Sequence, residues 1–182
     1  TITIAVEDPY GNRGSILLSI IVDPSPTKLS FSQDKESYLP GDVVKIVPVL
    51  IDQAGDVITT DIGMVITNPK GKELFSDTIA SNSEYEFHVV EHAMPGAWKV
   101  KLFAMDQDYE GSILIGEHIV LDYFILNNTL YITNKGNVRF SNPLKIEYKS
   151  LEKKFTLVKE FAIDANETVS LNLAKGIEPG TY

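Results

Sequence analysis

The sequence predicts an all-β protein of tandem sandwich units, with essentially no helix, on three observations. Apolar and polar residues alternate with period two along almost every ordered segment, the mark of a strand with one buried face. Groups of Gly, Pro, Asn and Asp punctuate these segments at short, regular spacing. A pattern of alternating strand, acidic loop, Gly-Ser-Ile-Leu and second apolar strand occurs twice, in residues 1–24 and again in 98–121.

Residues 1–24 read as a two-strand hairpin with Asp8-Pro9-Tyr10-Gly11-Asn12 at its bend. A hairpin alone is marginal in water. Its apolar residues, Ile2, Ile4, Val6, Leu17 and Ile20 among them, need a partner sheet. Upstream chain, the last unit of this chain or a neighbouring molecule could each supply one. Pro24-Ser25-Pro26 follows as a stiff linker.

Residues 27–121 read as one complete unit of seven strands, near 28–32, 43–51, 62–67, 73–78, 85–90, 98–105 and 112–120. That is an immunoglobulin-like number. Trp98, Val100 and Leu102 alternate with Lys99 and Lys101, which places the first three in a core and the lysines in water. Phe87 reads as core by the same alternation, and Trp98 is expected to fill the sandwich centre. Pro48 cannot donate to a ladder, so its position predicts an edge or a bulge.

Residues 125–182 read as a second sandwich with strands near 129–133, 138–140, 144–149, 155–163 and 168–173, without the closing pair that the middle unit has. Pro179-Gly180-Thr181-Tyr182 resembles Pro95-Gly96-Ala97-Trp98, which leads into that pair. The expectation is one whole unit between the tail of a preceding one and the front of a following one.

Composition excludes several function classes. The net charge is -9, with 15 acidic and 7 basic residues in 27–121 but 6 acidic and 8 basic in 125–182. An acidic centre is the wrong sign for a nucleic-acid surface. Opposite signs in successive units allow head-to-tail attraction. The chain has no cysteine, hence no disulfide, thiolate metal site or cysteine nucleophile. Its apolar runs are too short to span a bilayer, so membrane attachment and any signal peptide are expected outside these residues. No Gly-x-Ser-x-Gly elbow, P-loop or dinucleotide fingerprint occurs, and no catalytic residue is expected.

Asp106, Asp108 and Glu110 place three carboxylates at alternate positions, which makes them a calcium candidate. A hydrophilic hairpin connection accounts for them with fewer requirements, so no cofactor is expected beyond that candidate. His88 and His92 stand four apart, but on a strand rather than a helix, and a zinc site needs a third ligand. Asn127-Asn128-Thr129 and Asn166-Glu167-Thr168 are N-glycosylation triplets, and Asn127 and Asn166 are the candidate acceptors.

Three motifs of the middle unit carry a resemblance. Lys35-Glu36-Ser37-Tyr38-Leu39-Pro40-Gly41-Asp42-Val43-Val44, Asn68-Pro69-Lys70-Gly71 and Pro95-Gly96-Ala97-Trp98-Lys99-Val100 occur in that order. Together they resemble macroglobulin-type immunoglobulin-like modules. The segment from Asn127 to Val138, with Ile132-Thr133-Asn134-Lys135-Gly136-Asn137, is similar to the start of CARDB-like adhesion modules. Ala165-Asn166-Glu167-Thr168 and Glu178-Pro179-Gly180-Thr181-Tyr182 fit later steps of the same pattern. The pairing resembles the surface part of an archaeal-type envelope protein. It implies an extracellular structural or adhesive role, in which Asn127 and Asn166 are the expected glycan positions. The unpaired strands lead to an expectation of protein partners, neighbouring repeats or other copies joined by strand complementation. A macroglobulin-like protease-inhibitor fragment and an accessory β-domain of a secreted hydrolase are the alternatives.

Overall fold

A computed structural model describes residues 2–149 and 154–175, which form fourteen strands and no helix. No helix among them is long and apolar enough to cross a membrane. The chain is all-β, as alternation and turn spacing predict.

β1 (Ile2–Glu7) and β2 (Arg13–Leu18) form an antiparallel two-stranded sheet. The middle unit runs β3 (Pro26–Gln33), β4 (Val43–Asp52), β5 (Asp61–Thr67), β6 (Glu73–Ala80), β7 (Tyr85–His88), β8 (Gly96–Ala104) and β9 (Gln107–Ile115). Its two sheets have strand orders β3-β4-β7 and β6-β5-β8-β9, an immunoglobulin-like sandwich. The last unit has β10 (Leu121–Leu126), β11 (Thr129–Asn134), β12 (Pro143–Lys149), β13 (Lys154–Glu160) and β14 (Thr168–Asn172). Here the sheets are β10-β11-β14 and β12-β13. Strand for strand, they repeat the middle unit's β3-β4-β7 and β5-β6.

The middle core is closed. Val44, Ile46 and Leu50 of β4 meet Ile62, Met64 and Ile66 of β5, with Val100 and Leu102 of β8 beside them. Trp98 is buried at the centre, donates its indole N–H to the Met94 carbonyl at 2.8 Å, and meets the half-buried Phe87 edge to face at 6.0 Å. Phe31 of β3 packs edge-on to Tyr109 and occupies the space that a side chain at Gly111 would need. The last unit's core is smaller, built on Leu130, Ile132, Phe140 and Ile163.

The turns carry their own instructions. In Leu39-Pro40-Gly41-Asp42, Pro40 presets φ and Gly41 takes φ 88°, while the Asp42 N–H donates to the Leu39 carbonyl. Tyr38 just before it is buried, and its hydroxyl donates to Asp34 Oδ1 at 2.8 Å. One five-residue bend occurs three times: Asp8–Asn12, Asp52–Asp56 and Asn68–Lys72. In each, the first side chain's Oδ1 accepts the N–H groups two and four residues on, and the fourth residue is a glycine at positive φ.

Four sequence expectations are corrected. β9 ends at Ile115 rather than running on to 120, so Gly-Ser-Ile-Leu closes that strand as it closes β2, which ends at Leu18. The acidic run after Met105 is strand: the bend is only Met105-Asp106, with Met105 at φ 53°, and Gln107, Tyr109 and Gly111 alternate with charged neighbours. β10 occupies the stretch expected to join the two units. Residues 138–140 form no strand; only Phe140 bridges Ile163. Pro48 sits in the middle strand of its sheet, but β7 pairs no further along β4 than Ile46, so the strand is a local edge there.

Candidate functional site: unit junctions and open sheet faces

No three His, Asp or Glu side chains among the described residues stand close enough to hold a metal ion. Asp106 lies in the β8–β9 bend, and Asp108 and Glu110 lie on the exposed side of β9. Glu110 is engaged by Lys99 at 2.7 Å and Lys101 at 3.7 Å, and these partners hold its carboxyl below the usual range, the Lys99 hydrogen bond first. His88 and His92 are both exposed. Asn127 and Asn128 form a two-residue hairpin bend with φ 49° and 57°, and Asn166, at φ 62°, precedes β14. Both acceptor candidates are exposed.

The built features are the junctions between units. Gln53 grips the first linker: its Oε1 accepts the Ser25 N–H at 2.6 Å, its Nε2 donates to the Asp23 carbonyl at 3.2 Å, and its own N–H donates to the Ser25 carbonyl.

The second junction is buried. Asn137, 8% exposed, belongs to the loop after β11. Its Nδ2 donates to the carbonyls of Ala93 (2.8 Å) and Gly116 (2.9 Å), and its Oδ1 accepts the His118 N–H at 2.7 Å. Its backbone N–H donates to the His118 carbonyl at 2.9 Å. One amide thus satisfies three backbone groups at the end of the middle unit. Asn134, fully buried, holds the same loop to the last unit: Nδ2 donates to Val138 and Ile163 carbonyls, and Oδ1 accepts the Gly136 N–H. Gly136 is required for close approach, since a Cβ there would meet the His118 carbonyl oxygen at 2.1 Å. Its φ is not positive, so close approach rather than a left-handed turn is its role.

The sequence showed Asn134-Lys135-Gly136-Asn137 as part of a family resemblance, and the junction was missed. The Asn137 contacts reach 44 residues back in the chain, beyond any local pattern.

The other feature is exposed apolar sheet. On β1–β2, Ile2, Ile4, Val6, Ile16 and Leu18 are exposed. On β10, Tyr123 and Ile125 pair with the buried Ile132 and Leu130, so they share the core face of that sheet. They are nonetheless 71% and 61% exposed.

On the outer face of β12–β13, Lys145 (2.8 Å), Lys154 (3.3 Å) and Lys149 (3.5 Å) surround Glu147. Hydrogen bonds from Lys145 and then Lys154 lower its carboxyl to about 2. A folded value below the unfolded one stabilises the fold above the unfolded pKa, and that contribution disappears as pH falls from about 4.5 through about 2. A carboxyl NMR titration should give a Glu147 midpoint near 2; one near an ordinary glutamate's would contradict the cluster.

No protein-family model and no curated protein sequence matches the chain. Solved structures do. Trypsin-activated α2-macroglobulin from Escherichia coli is similar over 86% of this chain and 14% of its own, at 15% identity and TM-score 0.46. The native conformation of the E. coli protein is similar over 95% and 14%, at 14% identity and TM-score 0.44. A Salmonella α2-macroglobulin mutant is similar over 96% and 15%, at 11% identity and TM-score 0.42. The chain spans only those 14–15% of the proteins it resembles.

Proposed function

We propose that this chain is a structural or adhesive stretch of an extracellular, cell-surface protein of envelope, surface-layer or filament type, and that it is not an enzyme. In this reading its units set the spacing and orientation of what they join. The observation that carries it is the Asn137 clasp, in which a whole loop is committed to holding one sandwich against the next. An enzyme concentrates convergent titratable groups in a cleft; here the buried polar side chains satisfy turns and junctions. Buried and fully satisfied amides favour one arrangement over others. Exposed Asn127 and Asn166 are the positions at which such a protein would carry glycans. The pairing of module types suggests an archaeal-type envelope.

The test is surface access. An antibody against the middle unit should bind intact cells of the source organism without permeabilisation. Binding only after lysis would contradict the reading.

A further inference from the structure

We infer that the middle unit has a mechanical function: it carries tension along its strands, and Tyr38 is the catch that ties its first strands to its last. The chain enters this unit at Ser25 and leaves it at Gly116. Phe31 of β3 packs on Tyr109 and Gly111 of β9, and Tyr38 bridges Ile115 in parallel, so the two stretches advance side by side in one direction. Entry and exit therefore lie at opposite ends of the unit. Drawing them apart acts along the strands.

The hydrogen bonds of an antiparallel ladder lie across its strands. A pull along the strands loads all the bonds of a ladder together, whereas a pull across them opens one bond at a time. β3 is registered on β4 from Lys28 to Gln33, and Gln53 extends that grip to Ser25. β9 is registered on β8 along its whole length, from Gln107 to Ile115.

Tyr38 joins these two ladders directly. Its N–H donates to the Leu114 carbonyl at 2.9 Å, and its carbonyl accepts the Gly116 N–H at 2.8 Å. Its side chain is buried, and its hydroxyl donates to Asp34 Oδ1, which also accepts the Lys45 N–H at 3.0 Å. The segment between β3 and β4 is thus pinned to β4 on one side and to β9 on the other. When β3 slides under tension, the pull next reaches Tyr38 and passes straight to β9, without crossing the rest of the core. Gly116 also faces the next unit, because its carbonyl accepts Asn137 Nδ2 at 2.9 Å. Tension from the last unit therefore arrives at the residue that the catch holds.

This inference stands apart from the cell-surface reading, since it concerns the middle unit wherever the protein is located. Single-molecule pulling of the full chain tests it. The chain has no cysteine, so introduced pairs give unique attachment points. Asp23→Cys with Glu117→Cys pulls along the strands. Asp56→Cys with Asp106→Cys places both handles in bends at the entry end and parts β5 from β8 bond by bond. The middle unit should yield at a distinctly higher force in the first geometry. Tyr38→Ala removes the buried anchor and loosens both bonds to β9. It should speed yielding at equal force roughly tenfold or more in the first geometry, the scale of two backbone hydrogen bonds, and leave the second unchanged. Tyr38→Phe keeps the ring in the core and loses the Asp34 bond, so it should show a smaller effect, again in the first geometry alone. Equal yield forces in the two geometries, or Tyr38 variants that weaken both alike or neither, would overturn the inference.

Discussion

Trp98→Ala is expected to destabilise the middle unit by about 3–5 kcal/mol, the range for truncating a large buried aromatic. Trp98 is 2% exposed and belongs to the buried core of the middle unit. Truncation removes its packing against Phe87 and leaves the Met94 carbonyl without the indole donor. A domain of this size is stable by about 5–15 kcal/mol, so the loss takes a large fraction of the total. Trp98→Phe should cost less, because the ring packing largely survives and only the hydrogen bond is lost. Calorimetry of the whole chain should show the transition that includes the middle unit moving down sharply in Trp98→Ala. No downward shift would contradict Trp98 as the centre of that core.

Asn137→Ala is the second large effect. It leaves the Ala93 and Gly116 carbonyls and the His118 N–H unmet in a buried place. Each such group costs about 1–3 kcal/mol, and water entering the vacated space offsets part of that, so the net loss is about 2–4 kcal/mol. Asn137→Asp keeps the acceptor but loses both donors and sets a carboxylate against two carbonyl oxygens, so it should fare no better. The diagnostic result is uncoupling: the last unit should melt earlier and independently of the middle one. A last unit that melts unchanged would show that the amide does not join the two.

The parts of this fold that were legible in the sequence are those governed by neighbours in the chain. Alternation at Trp98, Val100 and Leu102 identified β8, and the Asn68-Pro69-Lys70-Gly71 bend could be placed because its hydrogen bonds close within five residues. β9 began earlier than expected because its exposed positions, Asp108 and Glu110, made a strand look like a loop. β10 was overlooked because Asp122 alone interrupts a run that is apolar on both faces, and such a run has no period to read. Gly136 stood out as part of a motif, and the position of the His118 carbonyl reveals why no side chain fits there. The exposed face of β1–β2 was anticipated from Ile2, Ile4 and Val6, but its likeness to the buried face of β8–β9 required the register.

The central claim is that the middle and last units are held in one fixed relation by the clasp. Residual dipolar couplings measured on the chain test it directly. The account predicts that alignment tensors fitted separately to residues 26–115 and 121–172 coincide in magnitude and orientation, and that adding Asn137→Ala makes them diverge. Tensors that already differ while Asn137 is intact would contradict it.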